Sequence, residues 1–186
     1  LTSANLQDLI GVFEVALREG VRPAPSTCAL LRAATGRLPD PLTPSDDAVS
    51  RFRAMLNAPT GVAAVLSAMH QVQLLGALMP EFAAINGLAR FEPYHEFTVD
   101  EHTLKALAHL ESFGGGDPQD ELRASLLRGY PRLELLRIAI LLHDTGKAMV
   151  GPHIESILAV LPSLGARFSY TVEELSYLRM LIAQHQ

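Results

Sequence analysis

The chain has 186 residues, 48% hydrophobic and 19% charged, which excludes a disordered or fibrous polypeptide and allows a sizeable buried core. Its formal net charge of −5 argues against nucleic acid as the main partner, because phosphate binding leaves a basic footprint. Cys28 is the single cysteine; an internal disulfide framework or thiolate zinc cluster is excluded, and a reducing cytoplasm fits.

The N-terminal stretch LTSANLQDL lacks a basic region followed by an apolar core, so no signal peptide is expected. No charged residue occurs between Arg53 and Glu81, a length that suggests a membrane span. Pro59, Thr60, Ser67, His70, Gln71 and Gln73 interrupt it, however, and a buried helix of a soluble protein with no membrane partner is the better reading. The chain begins without Met and stops at IAQHQ, as a piece of something longer would.

No stretch alternates apolar and polar residues over strand length, whereas helix punctuation is frequent. In ANLQDLIGVFEVALRE, Leu6, Leu9, Ile10, Phe13 and Leu17 share one face, and Gly20 is a stop signal. Ser26 is placed to cap a helix to Thr35, ended by Gly36. Thr43, Pro44 and Asp46 start a helix through Phe52, Met55 and Leu56, and Thr60 opens another through Val65 and Met69. MPEFAAINGLARFEPYHEF, with Pro80, Gly87 and Pro93, reads as a loop-like zone. The next helix is expected from near Asp100 through Leu104, Leu107 and Leu110 to Phe113. GGGDPQD reads as a surface connection, not a phosphate loop, since it has no strand–helix context. PRLELLRIAILLHD is the most apolar helix, with Gly146 placed to end it. Pro152 opens a short helix that Pro162 ends, and Thr171 with Glu174 forms a capping box for a helix through Leu178 and Leu181 to His185. The fold class is therefore all-α, with residues 1–90 one helical segment and 91–186 a second.

The apolar helix ends in adjacent His143 and Asp144. An unpaired buried charge costs several kcal/mol, so such a pair is normally neutralised by a partner or a metal. His102 in the first turn of its helix, His153 ten residues after His143, and His185 at the end of the last helix can converge with Asp144 from several helix ends. Imidazole and carboxylate donors suit a divalent ion such as manganese, iron or zinc. A single histidine on a helix is more often packed or solvated than ligating, and His70 and His109 are read so. His95 either lines the site or packs in its loop; Glu101 either orients a ligand or favours the helix N-terminus.

HD followed by TGK, with DEHT on an earlier helix, resembles the HD superfamily of metal-dependent phosphohydrolases. More closely, YHEFTVDEHTLKAL, preceded by LLGALMPEF and followed by LLHDTGK, resembles the bifunctional uridylyltransferase/uridylyl-removing enzymes of bacterial nitrogen regulation. In that family a nucleotidyltransferase domain is followed by a helical linker, an HD domain and two ACT domains. The resemblance implies that residues 1–90 are the linker and 91–186 most of an HD-superfamily helical bundle, cut short at its C-terminus. It implies His102, His143 and Asp144 as ligands of a first divalent metal (Mn, Mg, Fe or Zn), and His153 and His185 as ligands of a second. Lys147 would offset phosphate charge beside the catalytic Asp144. A further Asp of the superfamily set would lie beyond Gln186, and where the family has a Gly this chain has Ile157. The implied reaction is hydrolysis of a uridylyl–tyrosine phosphodiester on the PII signal protein, with UMP released. Two alternatives stay open: a non-catalytic module that transmits a signal between domains, and a phosphohydrolase of small nucleotides.

Overall fold

In the computed structural model, which describes residues 5–89, 97–113 and 118–184, the long helices form where apolar residues recur at three- and four-residue spacing. Helix α1 (Leu6–Glu19) starts at Asn5, whose side chain accepts from the Asp8 amide while the Asp8 carboxylate accepts from the Asn5 amide. It buries Leu6, Leu9, Ile10, Phe13 and Ala16 and stops at Gly20, which takes the left-handed conformation (φ 64°). Helix α2 (Pro25–Thr35) begins one residue before the expected Ser26, because Pro25 has its φ preset for the first helical position. Helix α3 (Asp46–Leu56) is capped by Ser45 and not Thr43: the Ser45 hydroxyl accepts from the Ala48 amide at 3.3 Å. Helix α4 (Val62–Gln71) has Gly61, not Thr60, at its N-cap.

A short helix, α5 (Leu74–Leu78), directly precedes the zone read as a loop, and another, α6 (Pro80–Ala83), lies within it. At five and four residues they are too short to show a period, and burial of Leu74, Leu75, Leu78, Met79, Phe82 and Ile85 holds them in place. The charge-free stretch thus holds α4 and α5 whole, between the end of α3 and the start of α6, with turns separating them. Among the described residues no helix is long and apolar enough to cross a membrane.

Helix α7 (Val99–Ser112) matches the expected element, and α8 (Pro118–Arg128) was not expected. Its mean hydropathy is low and Leu122 and Leu126 point to solvent, so it has no apolar stripe to read. The Gly114–Gly116 run lies outside the described residues. Helix α9 (Leu133–Leu142) leads into a 3-10 turn (Thr145–Ala148), and α10 (His153–Phe168) follows. Pro162 does not end α10: it removes one backbone donor from the helix's exposed side. Leu164 and Phe168 keep burying the other side beyond it, as Leu161 does just before it. Helix α11 (Val172–Ala183) has the expected capping box of Thr171 and Glu174.

All described residues are helix, turn or irregular chain, so the protein is all-α. One contiguous apolar core takes Phe13, Phe52, Leu66 and Leu75 from the first half and Ile138, Leu142, Phe168 and Leu178 from the second. Phe52 and Phe168 bring their ring centroids to 5.6 Å across the two halves. Helix α9 packs against α3, α6, α7 and α11 and so lies near the middle of the bundle.

Charged residues in this interior are partnered. The Glu134 carboxylate accepts from Arg53 Nε at 2.7 Å, Tyr170 Oη at 2.7 Å and Asn57 Nδ2 at 3.3 Å. Arg53 also donates to Glu174 at 2.5 Å and lies over the Tyr170 ring, 4.4 Å from its centroid. Burial and the neighbouring Glu134 carboxylate push the Tyr170 phenol far above its ordinary pKa, so it stays a donor.

Candidate metal centre

The helical run of α9 ends at Leu142, four residues before the glycine expected to stop it. The Thr145 hydroxyl donates to the Leu142 carbonyl at 2.8 Å, and Asp144 leaves helical geometry at φ −112°, ψ 0°. Gly146 has a different task. A Cβ there would lie 2.2 Å from the His153 carbonyl oxygen and 3.0 Å from Ile157 Cγ1. Only glycine lets the first residue of α10 press against this turn. Close approach brings His153 Nε2 to 2.8 Å from the His143 carbonyl, to which it donates, and to 3.7 Å from Asp144 Oδ1.

His143 is 8% exposed and Asp144 4%, so the pair is buried. Asp144 Oδ2 accepts from Lys147 Nζ at 2.7 Å and faces His143 Nε2 at 3.3 Å. Burial alone would raise the Asp144 pKa, but the hydrogen bonds and charges of His143 and Lys147 outweigh it and hold the carboxyl well below its usual range. The carboxylate is ionised and acceptor-only at neutral pH. On the far side of the ring, His143 Nδ1 lies 2.6 Å from the Ile140 carbonyl, which can only accept. The Nδ1 proton is thereby fixed and Nε2 is directed toward Asp144, the arrangement by which an outer hydrogen bond orients a ligating imidazole.

His102 arrives from the first turn of α7, and its ring centroid lies 5.7 Å from that of His143. One ligand atom each from His102, His143 and Asp144 fall within 4.8 Å of one another. Two imidazoles and a carboxylate at this spacing fit a divalent ion with borderline or hard preference. A divalent cation there would be held by His102, His143 and Asp144 and would meet a carboxylate that the Lys147 ammonium contacts at 2.7 Å.

His153 stands beside this group without joining the converging set, its Nε2 directed to a carbonyl. His185 and His95 lie outside the described residues. Glu101 Oε2 accepts from the Thr98 amide at 3.3 Å, the contact of a helix N-terminus. His109 is exposed and edge-on to Phe113, with ring centroids 4.9 Å apart. His70 bonds Asp100 at 2.9 Å and stacks edge-on against Phe82, so it braces the start of α7. That bracing carried no sequence signal, because the partners are 30 residues apart. Beside His143, a cleft of about 260 Å³ opens between α7, α9 and α11, walled by Ala106, Ala139, Ile140 and Leu181.

No family model matches the chain. Among known proteins it is similar to the bifunctional uridylyltransferase/uridylyl-removing enzyme of Cereibacter sphaeroides, 30% identical over 98% of this chain and 20% of that protein. The enzyme of the same name from Ruegeria pomeroyi is 31% identical over 87% of this chain and 18% of its own length. That of Vibrio vulnificus is 33% identical over 71% and 15%. The chain thus spans about one-fifth or less of the length of these curated relatives.

Proposed function

From the premise that the chain's homologues are bifunctional uridylyltransferase/uridylyl-removing enzymes, we propose that it carries the uridylyl-removing half of that pair. The reaction is metal-dependent hydrolysis of a phosphodiester, with UMP released from the uridylylated PII signal protein, in an HD-type helical domain formed by residues 91–186 with 1–90 as its linker. Nucleotidyltransferase and ACT domains are the proposed neighbours in the longer protein. One observation carries the hydrolytic reading: His102, His143 and Asp144 converge from α7 and the end of α9 with the His143 ring already oriented. A set of two imidazoles and a carboxylate suits an ion that activates water, which is what hydrolysis requires.

His102, His143 and Asp144 would hold a divalent ion, which would supply Lewis acidity and lower the pKa of water there. The chain's own residues do the rest. Ile140 fixes the His143 tautomer, so that Nε2 faces the site. Asp144, kept ionised, offers a carboxylate on either side of which a donor can sit. Lys147, with its ammonium 2.7 Å from Asp144 Oδ2, is placed to offset the charge of a phosphodiester. His153, and His185 outside the described residues, are the proposed holders of a second ion. The buried setting strengthens each of these interactions relative to water.

Asp144→Ala in the full-length protein tests the reading. UMP release from uridylylated PII should fall by at least a hundredfold with far-UV circular dichroism unchanged, and manganese uptake measured by titration calorimetry should be lost. Retained hydrolysis would favour the signal-transmitting module.

A further inference from the structure

Helices α4 and α7 run antiparallel and are tied to each other at both ends. At one end is the His70–Asp100 contact. At the other, the Glu111 carboxylate accepts from the Val62 and Ala63 amides at 3.1 and 3.3 Å. These are the first amides of α4, whose N-cap, Gly61, has no side chain to satisfy them. A residue from another helix does so instead.

Glu111 also accepts from Arg137 Nη2 at 3.0 Å. Arg137, on α9, is 1% exposed and is the largest fully buried side chain of the core. Its Nη1 donates to the Leu56 and Ala58 carbonyls, both at 2.6 Å, at the C-terminal end of α3. Each charge therefore meets a helix end of opposite polarity: the carboxylate the positive start of α4, the guanidinium the negative end of α3. The α3–α4 junction is held by the two helices that carry His102 and His143.

A buried ion pair is weak evidence of stabilisation, since desolvation offsets the attraction. What a guanidinium fork with acceptors on several elements does fix is direction. With the first turn of α7 anchored at Asp100, the contact at Glu111 sets the helix's tilt, and so the angle at which His102 is presented to His143. Ligand sets tolerate only about 10–20° of such error.

We propose that Glu111 and Arg137 are positioning residues for the candidate metal centre, holding α7 against α9 so that His102 and His143 keep their mutual spacing and angle. This rests on reading His102, His143 and Asp144 as metal ligands.

Zinc titration calorimetry and thermal melts on Glu111→Gln and on the double variant Glu111→Gln/Arg137→Met test it. Glu111→Gln should lower the melting temperature and weaken zinc at least tenfold. In the double variant no buried charge is left unpaired, so the melting temperature should recover while zinc stays at least tenfold weaker. Nuclear cross-relaxation between the His102 and His143 rings, whose centroids lie 5.7 Å apart, gives a metal-free readout and should fall in both. Wild-type zinc affinity and cross-relaxation in the double variant would overturn the proposal, leaving the clasp a matter of stability alone. If the unaltered protein takes up no zinc, the ligand reading fails, and cross-relaxation by itself decides the positioning role. Glu111→Asp, which keeps the charge but retracts it by one methylene, gives the same readouts where the other variants do not fold.

Discussion

Two places in the bundle bury a carboxylate to nearly the same depth, Glu134 at 5% exposure and Asp144 at 4%, and they satisfy it in opposite ways. Glu134 is surrounded by Arg53, Tyr170 and Asn57, which all donate to it from fixed positions on neighbouring elements. Asp144 faces a lysine on the next turn and two imidazoles. Both charges are neutralised, so burial of a charge does not by itself mark function. The kind of partner differs: a permanent guanidinium closes a structural knot, whereas imidazoles with a carboxylate are the donors that the proposed metal would use.

The sharpest way to break this comparison is Gly146→Ala. The added Cβ would sit 2.2 Å from the His153 carbonyl, and backbone cannot yield as a side chain can. The start of α10 must move, at a cost of about 3 kcal/mol or more, read as a shift in the urea midpoint. Manganese uptake should weaken with it, since the turn that aims Asp144 is displaced. Unchanged stability would show that the close approach is not a constraint.

Glu134→Gln is the counterpart at the structural knot. Removing one partner leaves Arg53 without its buried counter-charge, and about 2–4 kcal/mol of stability should be lost. Metal affinity, compared under conditions where the variant is folded, should stay within about twofold of the unaltered protein. A tenfold loss would mean that the two regions are one unit.

The smallest effect concerns pH. Burial would raise the Glu174 pKa, but hydrogen bonds from the Thr171 amide and from Arg53 outweigh it and lower it below 4.5. A carboxyl depressed in the folded state contributes stability above its unfolded pKa and loses it as pH falls through the folded value. Acidification below about pH 4.5 should therefore destabilise the protein, and Glu174→Gln should flatten part of that loss in melts between pH 5 and about pH 3. An unaltered slope would remove Glu174 from the knot's titration.

How legible these features are in the amino-acid sequence follows from the range of the interactions behind them. Helices α1, α7 and α11 are locally capped and α9 is strongly apolar, so Gly20 and the Thr171–Glu174 pair read correctly. Helices α5 and α6 exist because surrounding apolar groups bury them, and α8 has no stripe at all, so neither kind leaves a local signature. Pro162 and Gly146 were misread for one reason: their usual local meaning is overridden by packing, in one case the buried face of α10, in the other a backbone contact seven residues away. At the site, the adjacent His143 and Asp144 stand out because a charge after an apolar run demands a partner. Glu134 and Arg137, three residues apart within the same apolar run, carry that signal equally and had partners too far along the chain to be named.

The core that joins Phe13 and Phe52 to Leu142 and Phe168 has a consequence for how the molecule opens. Neither half can expose its interior without uncovering the other's. Heat should therefore melt the chain in a single calorimetric transition, with calorimetric and van't Hoff enthalpies in agreement. Amides of α3 and α9 should share the same slowest class of solvent exchange, although nearly eighty residues of chain separate them.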